Sequence, residues 1–199
     1  MIPAIVLAAG ASSRMGAPKA VLPIGQGDTF LTRIARTLRS AGCQEIFVVL
    51  GNDGELVRRH LSTAAPDITP IDNPSPERGQ LSSLLVGLAA AERQDVPAVL
   101  VTLVDVPLVT TATITAILNA YRQRGDALIV RPAMAGRHGH PTIFDRRLFA
   151  ELRNADPSAG AKAVIRARPA GVVDVPVEDE GAFIDIDTPA GYAQHIGGE

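Results

Sequence analysis

The sequence has a single cysteine, Cys43, and no tryptophan among its 199 residues. One cysteine cannot close an internal disulfide, and a cysteine-based metal site is not expected. We expect Cys43 to behave as a small, partly buried apolar side chain. Aromatic residues make up only 4% of the chain, which argues against a surface that stacks single-stranded nucleic acid.

A basic excess is also missing, because 19 Lys and Arg residues face 21 Asp and Glu residues and the formal net charge is -2. The basic residues are scattered rather than clustered, so we expect no nucleic-acid partner. No stretch approaches the roughly 18 apolar residues that a membrane-spanning helix needs. The apolar N-terminal stretch has no basic segment before it and does not resemble a secretory signal. These absences predict a cytoplasmic protein with no membrane partner.

The length and a hydrophobic content of 46% predict one globular domain over residues 1–199. Strands are predicted at residues 4–8, 45–50, 68–71, 98–104, 127–130, 141–144 and 172–177. Helices are predicted after the caps Asp28 or Thr29 (ending at Gly42), Ser82 or Ser83, Thr110 or Thr111, and Thr188, and at residues 55–61, 146–152 and 159–167. This alternation predicts an α/β fold with a mixed, mostly parallel sheet and helices on both faces.

A glycine loop follows the first predicted strand, at the edge where α/β folds bind ligands. Residues 7–19 read LAAGASSRMGAPK. Small residues let backbone N–H groups face a polyphosphate, while Arg14 and Lys19 supply positive charge. The spacing matches neither the P-loop nor the dinucleotide fingerprint. A plain strand-to-helix turn with a surface Arg and Lys is the alternative. The candidate phosphate-binding residues are Leu7, Ala8, Ala9, Gly10, Ser12, Arg14 and Lys19.

A second loop rich in Gly and Ser, residues 73–84, precedes a strongly apolar helical segment. The start of a helix favours anions and polar ligand groups, although Ser82 or Ser83 could simply cap that helix. Asp105 ends the clearest strand and is followed by Val106-Pro107. Its carboxylate is expected to point into the ligand crevice, and capping of a turn is the alternative.

Two further acids occur in the segment Asp185-Ile186-Asp187-Thr188-Pro189. Strand alternation would place Asp185 and Asp187 on one face, where two like charges need a cation or hydrogen-bond donors. The alternative is that Asp187 caps the last helix and Asp185 is solvated. His140, within Gly139-His140-Pro141, is either a ligand contact or a structural histidine in a turn, and His138 is more readily structural.

These motifs resemble those of the MobA-like nucleotidyltransferases, which attach a nucleotide to molybdopterin. The resemblance covers essentially the whole chain and is most specific at residues 7–19, 105–107 and 185–192. The Ala8-Ala9-Gly10 triplet is similar to that of the CTP-using branch of the family. The segment Ser158-Ala159-Gly160-Ala161-Lys162 departs from the family pattern Gly-Asp-x-Gly-Ala-Arg, which leaves the acceptor open.

The resemblance implies a single-domain, Rossmann-like nucleotidyltransferase fold and a Mg²⁺-dependent transfer of CMP from CTP to the terminal phosphate of molybdopterin, with release of pyrophosphate. It implies that Asp105 and Asp187 hold Mg²⁺, with Asp185 in support, and that His140 lies toward the acceptor. It further implies nucleotide contacts from Gly79, Gln80, Ser82, Ser83 and Pro107. A molybdoenzyme client or maturation chaperone would be a partner.

Several alternatives remain beside this function. One is a related enzyme that uses GTP, a sugar phosphate or a phospholactate. Another is a non-catalytic nucleotide-binding factor for molybdoenzyme maturation. A Rossmann-type reductase is disfavoured because the dinucleotide fingerprint is absent.

Overall fold

The computed structural model describes residues 1–10 and 14–197. Its strands are β1 Ala4–Ala8, β2 Pro23–Ile24, β3 Asp28–Thr29, β4 Ile46–Leu50, β5 Thr69–Asp72, β6 Ala98–Leu103, β7 Ile129–Met134, β8 Arg137–His138, β9 Thr142–Asp145 and β10 Val172–Pro176. Its helices are α1 Phe30–Ser40, α2 Gly54–Ala64, α3 Gln80–Ala91, α4 Thr111–Gln123, α5 Phe149–Arg153, α6 Ala161–Ala167 and α7 Pro189–His195. None of these helices combines the length and apolar character needed to cross a bilayer.

Eight of the strands form one sheet, with the order β10-β7-β9-β6-β1-β4-β5 and with β8 paired to β7. The neighbours β6, β1, β4 and β5 pair in parallel, as do β7 and β10. Strand β9 runs antiparallel to both β6 and β7. The prediction of a mixed, mostly parallel sheet is therefore confirmed. The carboxyl ends of β1, β4, β5 and β6 consequently meet at one edge.

The central strand β1 is buried on both faces, which explains its continuous apolar run. Ala4 and Val6 pack into a cluster with residues of α1, α2 and α4, whereas Ile5 and Leu7 pack on the other face with residues of α3, α5 and α6. This alternation builds two hydrophobic layers around one sheet. Cys43 lies in the first layer with 1% exposure, which confirms the expectation of a buried apolar side chain.

Local signals set the ends of two helices. The Thr29 side chain accepts a hydrogen bond from the Thr32 backbone N–H at the start of α1, and Thr110 makes the same kind of cap at the start of α4. Gly42 has a φ of 100° just beyond α1, a conformation that glycine adopts without steric cost. All three assignments were predicted from the sequence.

Several predicted elements differ from the observed ones. Helix α3 begins at Gln80 with Gly79 as its N-cap, so neither Ser82 nor Ser83 caps it. The strand expected around Asp185 and Asp187 is not formed, since residues 184–187 belong to no strand or helix, and Ile186 packs into a side cluster with Ile24 and Phe30. Helix α2 extends beyond the predicted residues 55–61 on both sides, whereas β7 is shifted from the predicted 127–130 to Ile129–Met134. Residues 146–152 divide into a 3₁₀ turn and α5.

Candidate active site

The loops after β1, β5 and β6 surround a small cleft at the carboxyl edge of the sheet. Its volume is about 170 Å³. The cleft is lined by Leu7, Ala9, Gly10, Lys19, Pro76, Gly79, Gln80, Ser83, Leu103, Val104 and Asp105. Both Gly-rich loops predicted from the sequence therefore face the same space as the predicted aspartate.

Lys19 forms the centre of the charged part of this edge. Its Nζ donates to Asp105 Oδ2 at 2.9 Å and also to Asp187 Oδ1. The Lys19 side chain is only 13% exposed, and the side chains of Asp105 and Asp187 are 21% and 38% exposed. The guanidinium of the exposed Arg14 lies 3.5 Å from Asp187 Oδ2. Two loop cations thus neutralise acids that are 86 and 168 residues from Lys19 in the sequence.

The pKa values of Lys19, Asp187 and Asp185 are shifted because these charged groups lie close together. Burial lowers the pKa of Lys19, but hydrogen bonds to Asp187 and Asp105 outweigh it and raise the pKa above its usual value. The hydrogen bond from Lys19 holds the pKa of Asp187 below its usual range. The pKa of Asp185 is raised by partial burial of its carboxyl group and by the charges of Asp105 and Asp187. Negative charge is therefore in local excess at this edge.

The acids have the chemistry for a hard divalent cation. Asp105 Oδ1 is buried and has no hydrogen-bond partner within residues 1–10 and 14–197, and a buried oxygen of this kind calls for a cation or donor. The same residues contain no group of three His, Cys, Asp or Glu side chains arranged as metal ligands. Mg²⁺ is commonly held by one or two carboxylates together with substrate phosphates and water. Two carboxylates fit that pattern.

The second Gly/Ser loop is held by the buried side chain of Asn73. Its Nδ2 donates to Ser82 Oγ at 3.1 Å and to Ser83 Oγ at 3.0 Å, and its Oδ1 accepts from the Ser75 N–H at 2.9 Å. Gly79 has a φ of 88°, so its backbone can turn back to start α3. The Asn73 contacts therefore fix the loop that places Gly79 and Gln80 against the small cleft.

A larger open cleft, of about 1030 Å³, adjoins the small one and shares Leu7, Gly79 and Gln80 with it. Leu84, Val101, Leu103, Phe144 and Ile165 provide apolar walls. Lys162 and Arg166 lie one helical turn apart on α6 and both line this cleft. Its acid, Asp174, already contacts Arg131 Nε at 2.7 Å and His138 Nε2 at 3.3 Å. The cleft thus suits a ligand with an apolar body and negative charge.

His140 lies on the wall of the larger cleft. Burial lowers the pKa of its imidazole, and the charge of Asp105 only partly opposes that effect. His140 Nδ1 is buried without a hydrogen-bond partner in the described part of the chain. A neutral imidazole here presents an unused acceptor or donor rather than a positive charge.

Comparison with known proteins assigns this architecture to a family. The model of the MobA-like NTP transferase domain matches residues 4–172. The chain belongs to the MobA-like NTP transferase domain family. The match includes both Gly-rich loops and Asp105, but it ends before Asp185 and Asp187.

Two curated relatives align with nearly the whole chain. Nicotine blue oxidoreductase of Paenarthrobacter nicotinovorans is 32% identical over 92% of this chain and 91% of its own length. Molybdenum cofactor cytidylyltransferase of Escherichia coli K12 is 30% identical over 94% of this chain and 92% of its own length. The relatives of this MobA-like domain therefore carry more than one named activity.

Solved structures agree with the fold. Rv0371c of Mycobacterium tuberculosis H37Rv superposes with a TM-score of 0.81 and 27% identity, covering 97% of this chain and 96% of the other. A second structure of Rv0371c is a complex with manganese, with a TM-score of 0.75 and 26% identity over 100% of this chain and 99% of the other. The fold is the predicted Rossmann-like nucleotidyltransferase fold, and by family and fold the chain is a nucleotidyltransferase.

The structure of this MobA-like domain brings together most of the site residues expected from the sequence. Arg14, Lys19, Asp105 and Asp187 form one charged group. Asp185 lies close enough to Asp105 and Asp187 for their charges to raise the pKa of its carboxyl group, although no strand provides the alternation.

Other expected contacts lie apart from this group. Ser82 bonds to Asn73 and lines a separate cavity of about 270 Å³, while Ser83 is buried beside the small cleft. Pro107 is buried in the turn after Asp105. Ala8 lines a narrow crevice beside Gly10. Ser12 lies outside the described residues.

Sequence reasoning missed the supporting roles of two residues. Asn73 comes directly after β5 at the carboxyl edge, so its position in the strand pattern was a usable signal. Asp179 accepts hydrogen bonds from the Thr110 N–H at 2.8 Å and from Thr113 Oγ1 at 2.6 Å. Nothing local to Asp179 indicates a partner that lies 69 residues away.

Proposed function

We propose that this MobA-like domain is a Mg²⁺-dependent cytidylyltransferase of the cytoplasm that transfers CMP from CTP to the terminal phosphate of molybdopterin or a closely similar acceptor, with release of pyrophosphate. The observation that carries the proposal is the position of Lys19 between Asp105 and Asp187 at the mouth of a cleft lined by Gly10, Gly79 and Gln80. The backbone proposed to bind phosphate, two positively charged side chains and the acids proposed to hold Mg²⁺ are close together there.

The triphosphate would lie along the Gly10 loop, with Arg14 and Lys19 turning from the acids to the phosphate oxygens. Asp105 and Asp187 would hold Mg²⁺, and Asp185 would add negative charge nearby. The bound cation would neutralise charge on the phosphates and align the α-phosphate. Lys19 has a long, flexible side chain, so its ammonium could turn from Asp105 and Asp187 to the oxygens of the triphosphate, which would free both carboxylates to hold the cation.

The reaction requires little proton transfer. An oxygen of the acceptor phosphate forms a bond to the α-phosphorus, the bond from that phosphorus to the β-phosphate bridging oxygen breaks, and pyrophosphate leaves. Because the attacking oxygen is already anionic, no strong general base is needed. His140, neutral at neutral pH, would orient the acceptor by hydrogen bonding. Catalysis would come from alignment and electrostatic stabilisation.

The larger cleft supports an anionic acceptor beside the nucleotide. Lys162 and Arg166 face it without an ion-pair partner in the described part of the chain, whereas Asp174 is already paired with Arg131. The apolar walls suit a flat heterocycle such as a pterin. The family model and the named cytidylyltransferase relative support CTP as donor. Relatives named as guanylyltransferases align with only 60% to 63% of this chain.

A transfer assay with labelled CTP, Mg²⁺ and molybdopterin tests the proposal. Asp105→Ala should abolish pyrophosphate release and product formation while thermal unfolding stays cooperative, because the cation loses its better-buried carboxylate. Asp67→Ala, an exposed acid before β5 at the opposite edge of the sheet, should behave as wild type. Wild-type turnover by Asp105→Ala would reject the assignment of the cation site.

Three further measurements distinguish the alternative functions. A panel of nucleotides in a thermal-shift measurement should give the largest stabilisation with CTP, and a larger shift with GTP would redirect the proposal to guanylyl transfer. Absence of pyrophosphate release with every nucleotide would favour a non-catalytic maturation factor. Because one relative is named an oxidoreductase, oxidation of NADH and NADPH should be followed in parallel, and we expect none.

A further inference from the structure

We propose that Asp179 is a positioning residue that sets the distance between the carboxylates of Asp105 and Asp187. It does so through residues 179–187, which we name the strap. The inference rests on the proposed function, because Asp105 and Asp187 are the proposed cation ligands. The strap belongs to no strand of the sheet, so something other than a strand ladder must hold its acids against Asp105.

The strap runs alongside residues 105–110 and is attached to them at both ends. At one end the Ile186 N–H donates to the Asp105 backbone oxygen at 2.8 Å. At the other end Asp179 Oδ2 accepts from the Thr110 N–H at 2.8 Å, from Thr110 Oγ1 at 2.8 Å and from Thr113 Oγ1 at 2.6 Å. The two segments that carry the proposed ligands are therefore fastened to each other.

Between these attachments the backbones touch. A Cβ at Gly181 would overlap the carbonyl oxygen of Leu108, so only glycine allows this approach. On its other side the strap receives a hydrogen bond from the His140 N–H to the Ala182 oxygen at 2.9 Å. A Cβ at Gly139 would overlap that same oxygen. The strap thus lies in a channel whose width is set by two glycines.

The buried side chain of Ile186 fixes the position of the acids on either side of it, Asp185 and Asp187. It is fully buried with Ile24 and Phe30, whereas its neighbours Asp185 and Asp187 are more exposed and lie outside that cluster. Asp187 then reaches Lys19, which also contacts Asp105. Like charges this close repel each other. An unattached strap would leave Lys19 alone to hold Asp187 beside Asp105, and the two carboxylates would separate once that ammonium turned to a phosphate.

A purely structural role would limit Asp179 to stabilising the start of α4. That start already has its own cap, because Thr110 Oγ1 accepts from the Thr113 N–H at 3.3 Å. The two roles predict different measurements. A helix-stabilising residue changes the melting temperature alone, whereas a positioning residue also changes the affinity for a cation.

The test measures Mn²⁺ binding in the presence of CTP by electron paramagnetic resonance, together with hydrogen exchange of the strap. Asp179→Asn, which replaces the accepting Oδ2 by a donor, and Gly181→Ala, which adds a Cβ against Leu108, should each weaken Mn²⁺ binding about tenfold or more, as loss of outer-shell support typically does. Amides around Ile186 should exchange faster in both variants. The double variant should lose less than the sum of the two losses, because both changes release one segment.

Two control variants separate positioning from general stability. Asp145→Asn loses contacts with Tyr121 and Arg147 in another part of the fold and should lower the melting temperature with unchanged Mn²⁺ affinity. Gly125→Ala adds a Cβ where no atom lies within 4 Å and should change neither. If Asp179→Asn does not fold, Thr113→Val removes one of the same hydrogen bonds and should show a smaller shift in the same direction.

Wild-type Mn²⁺ affinity in both Asp179→Asn and Gly181→Ala would overturn the inference. A loss that merely follows the melting temperature, as in Asp145→Asn, would do the same. Failure of the proposed function would give a different result from failure of this inference, because the wild-type protein would then bind neither Mn²⁺ nor CTP. The exchange of the strap amides would still decide whether Asp179 holds the segment.

Discussion

Lys19 has two roles at the scale of a single residue. A partly buried ammonium needs anionic partners, and Asp105 and Asp187 supply them in the protein without ligand. These acids are also the proposed ligands of Mg²⁺. In the proposed site the ammonium would occupy the place of the divalent cation, and it keeps the two carboxylates together in the protein without ligand.

Replacing Lys19 by Met should have opposite effects on the two ligands. CTP should bind about tenfold more weakly, a loss of about 1.4 kcal/mol, because one phosphate contact is lost. Mn²⁺ alone should bind more tightly, because the competing ammonium is gone. Isothermal titration calorimetry measures both. Arg58→Met, which breaks an exposed ion pair with Asp72, is the control and should change neither affinity.

His140 should give the folding stability a pH dependence. Burial lowers its pKa in the folded protein below the usual 6.5, so the unfolded chain binds more protons below that pH. The contribution of neutral His140 to the free energy of unfolding is therefore complete above about pH 6.5, and it is lost as the pH falls toward the pKa of His140 in the folded protein. Urea unfolding at pH 7.5 and 5.5 should show a smaller pH dependence in His140→Asn. His138→Asn, at an exposed histidine, is the control. The same change in the free energy of unfolding between pH 7.5 and 5.5 in both variants would contradict the expectation.

At the scale of elements, the loop between β5 and α3 depends on Asn73. Its side chain joins the end of a strand to the first turn of a helix through Ser82 and Ser83. Helix α3 has no side-chain cap of its own, so this network replaces the cap and orients Gly79 and Gln80. A buried polar network of this kind is stable only when its members are all satisfied.

Asn73→Ala should therefore destabilise the fold by about 1–3 kcal/mol, because buried hydroxyl partners are left unsatisfied. It should also raise KM for CTP severalfold with a smaller change in kcat, since the loop faces the nucleotide cleft. Thr102→Val is a matched control: Thr102 is 1% exposed, and its hydroxyl has no hydrogen-bond partner in the described residues. That variant should be neutral or slightly stabilising. Equal KM values for Asn73→Ala and wild type would separate the loop from nucleotide binding.

At the scale of the whole molecule, the distribution of charge differs from the net charge. The chain as a whole carries -2, yet the larger cleft contains Lys162 and Arg166 facing inward and an Asp174 already paired with Arg131. A mildly acidic protein thus has a cationic wall on the cleft proposed for the acceptor. Such local fields attract an anionic substrate and weaken with added salt.

Arg166→Gln should raise KM for the acceptor severalfold and make it less sensitive to salt, while KM for CTP stays unchanged. Steady-state kinetics between 50 and 300 mM salt, roughly the range over which screening becomes strong, measures both effects. Arg124→Gln, just beyond α4 on the other face of the sheet, is the control and should match wild type. A salt dependence of Arg166→Gln equal to that of wild type would show that this wall does not contact the acceptor.

The sheet and its helices were largely predictable because their signals are local. Continuous apolar runs indicated β1 and β6, and Thr29 and Thr110 marked the starts of α1 and α4. The start of α3 was wrong, since Ser82 and Ser83 bond to Asn73 instead of capping the helix. The strand alternation expected for Asp185 and Asp187 was also wrong, because no strand forms there and Ile186 packs into the side cluster with Ile24 and Phe30.

By itself the sequence determined the chemical inventory of this protein: a glycine loop with two cations, a second loop, three acids, and the family to which they belong. Only the tertiary structure decided that Lys19 lies between Asp105 and Asp187, that Asn73 supports the second loop, and that Asp179 fastens the strap. The physical reason is range. Helix capping and hydrophobic periodicity depend on residues close together in the chain. Lys19 meets Asp105 and Asp187, and Asp179 meets Thr110, only after folding has brought distant segments together.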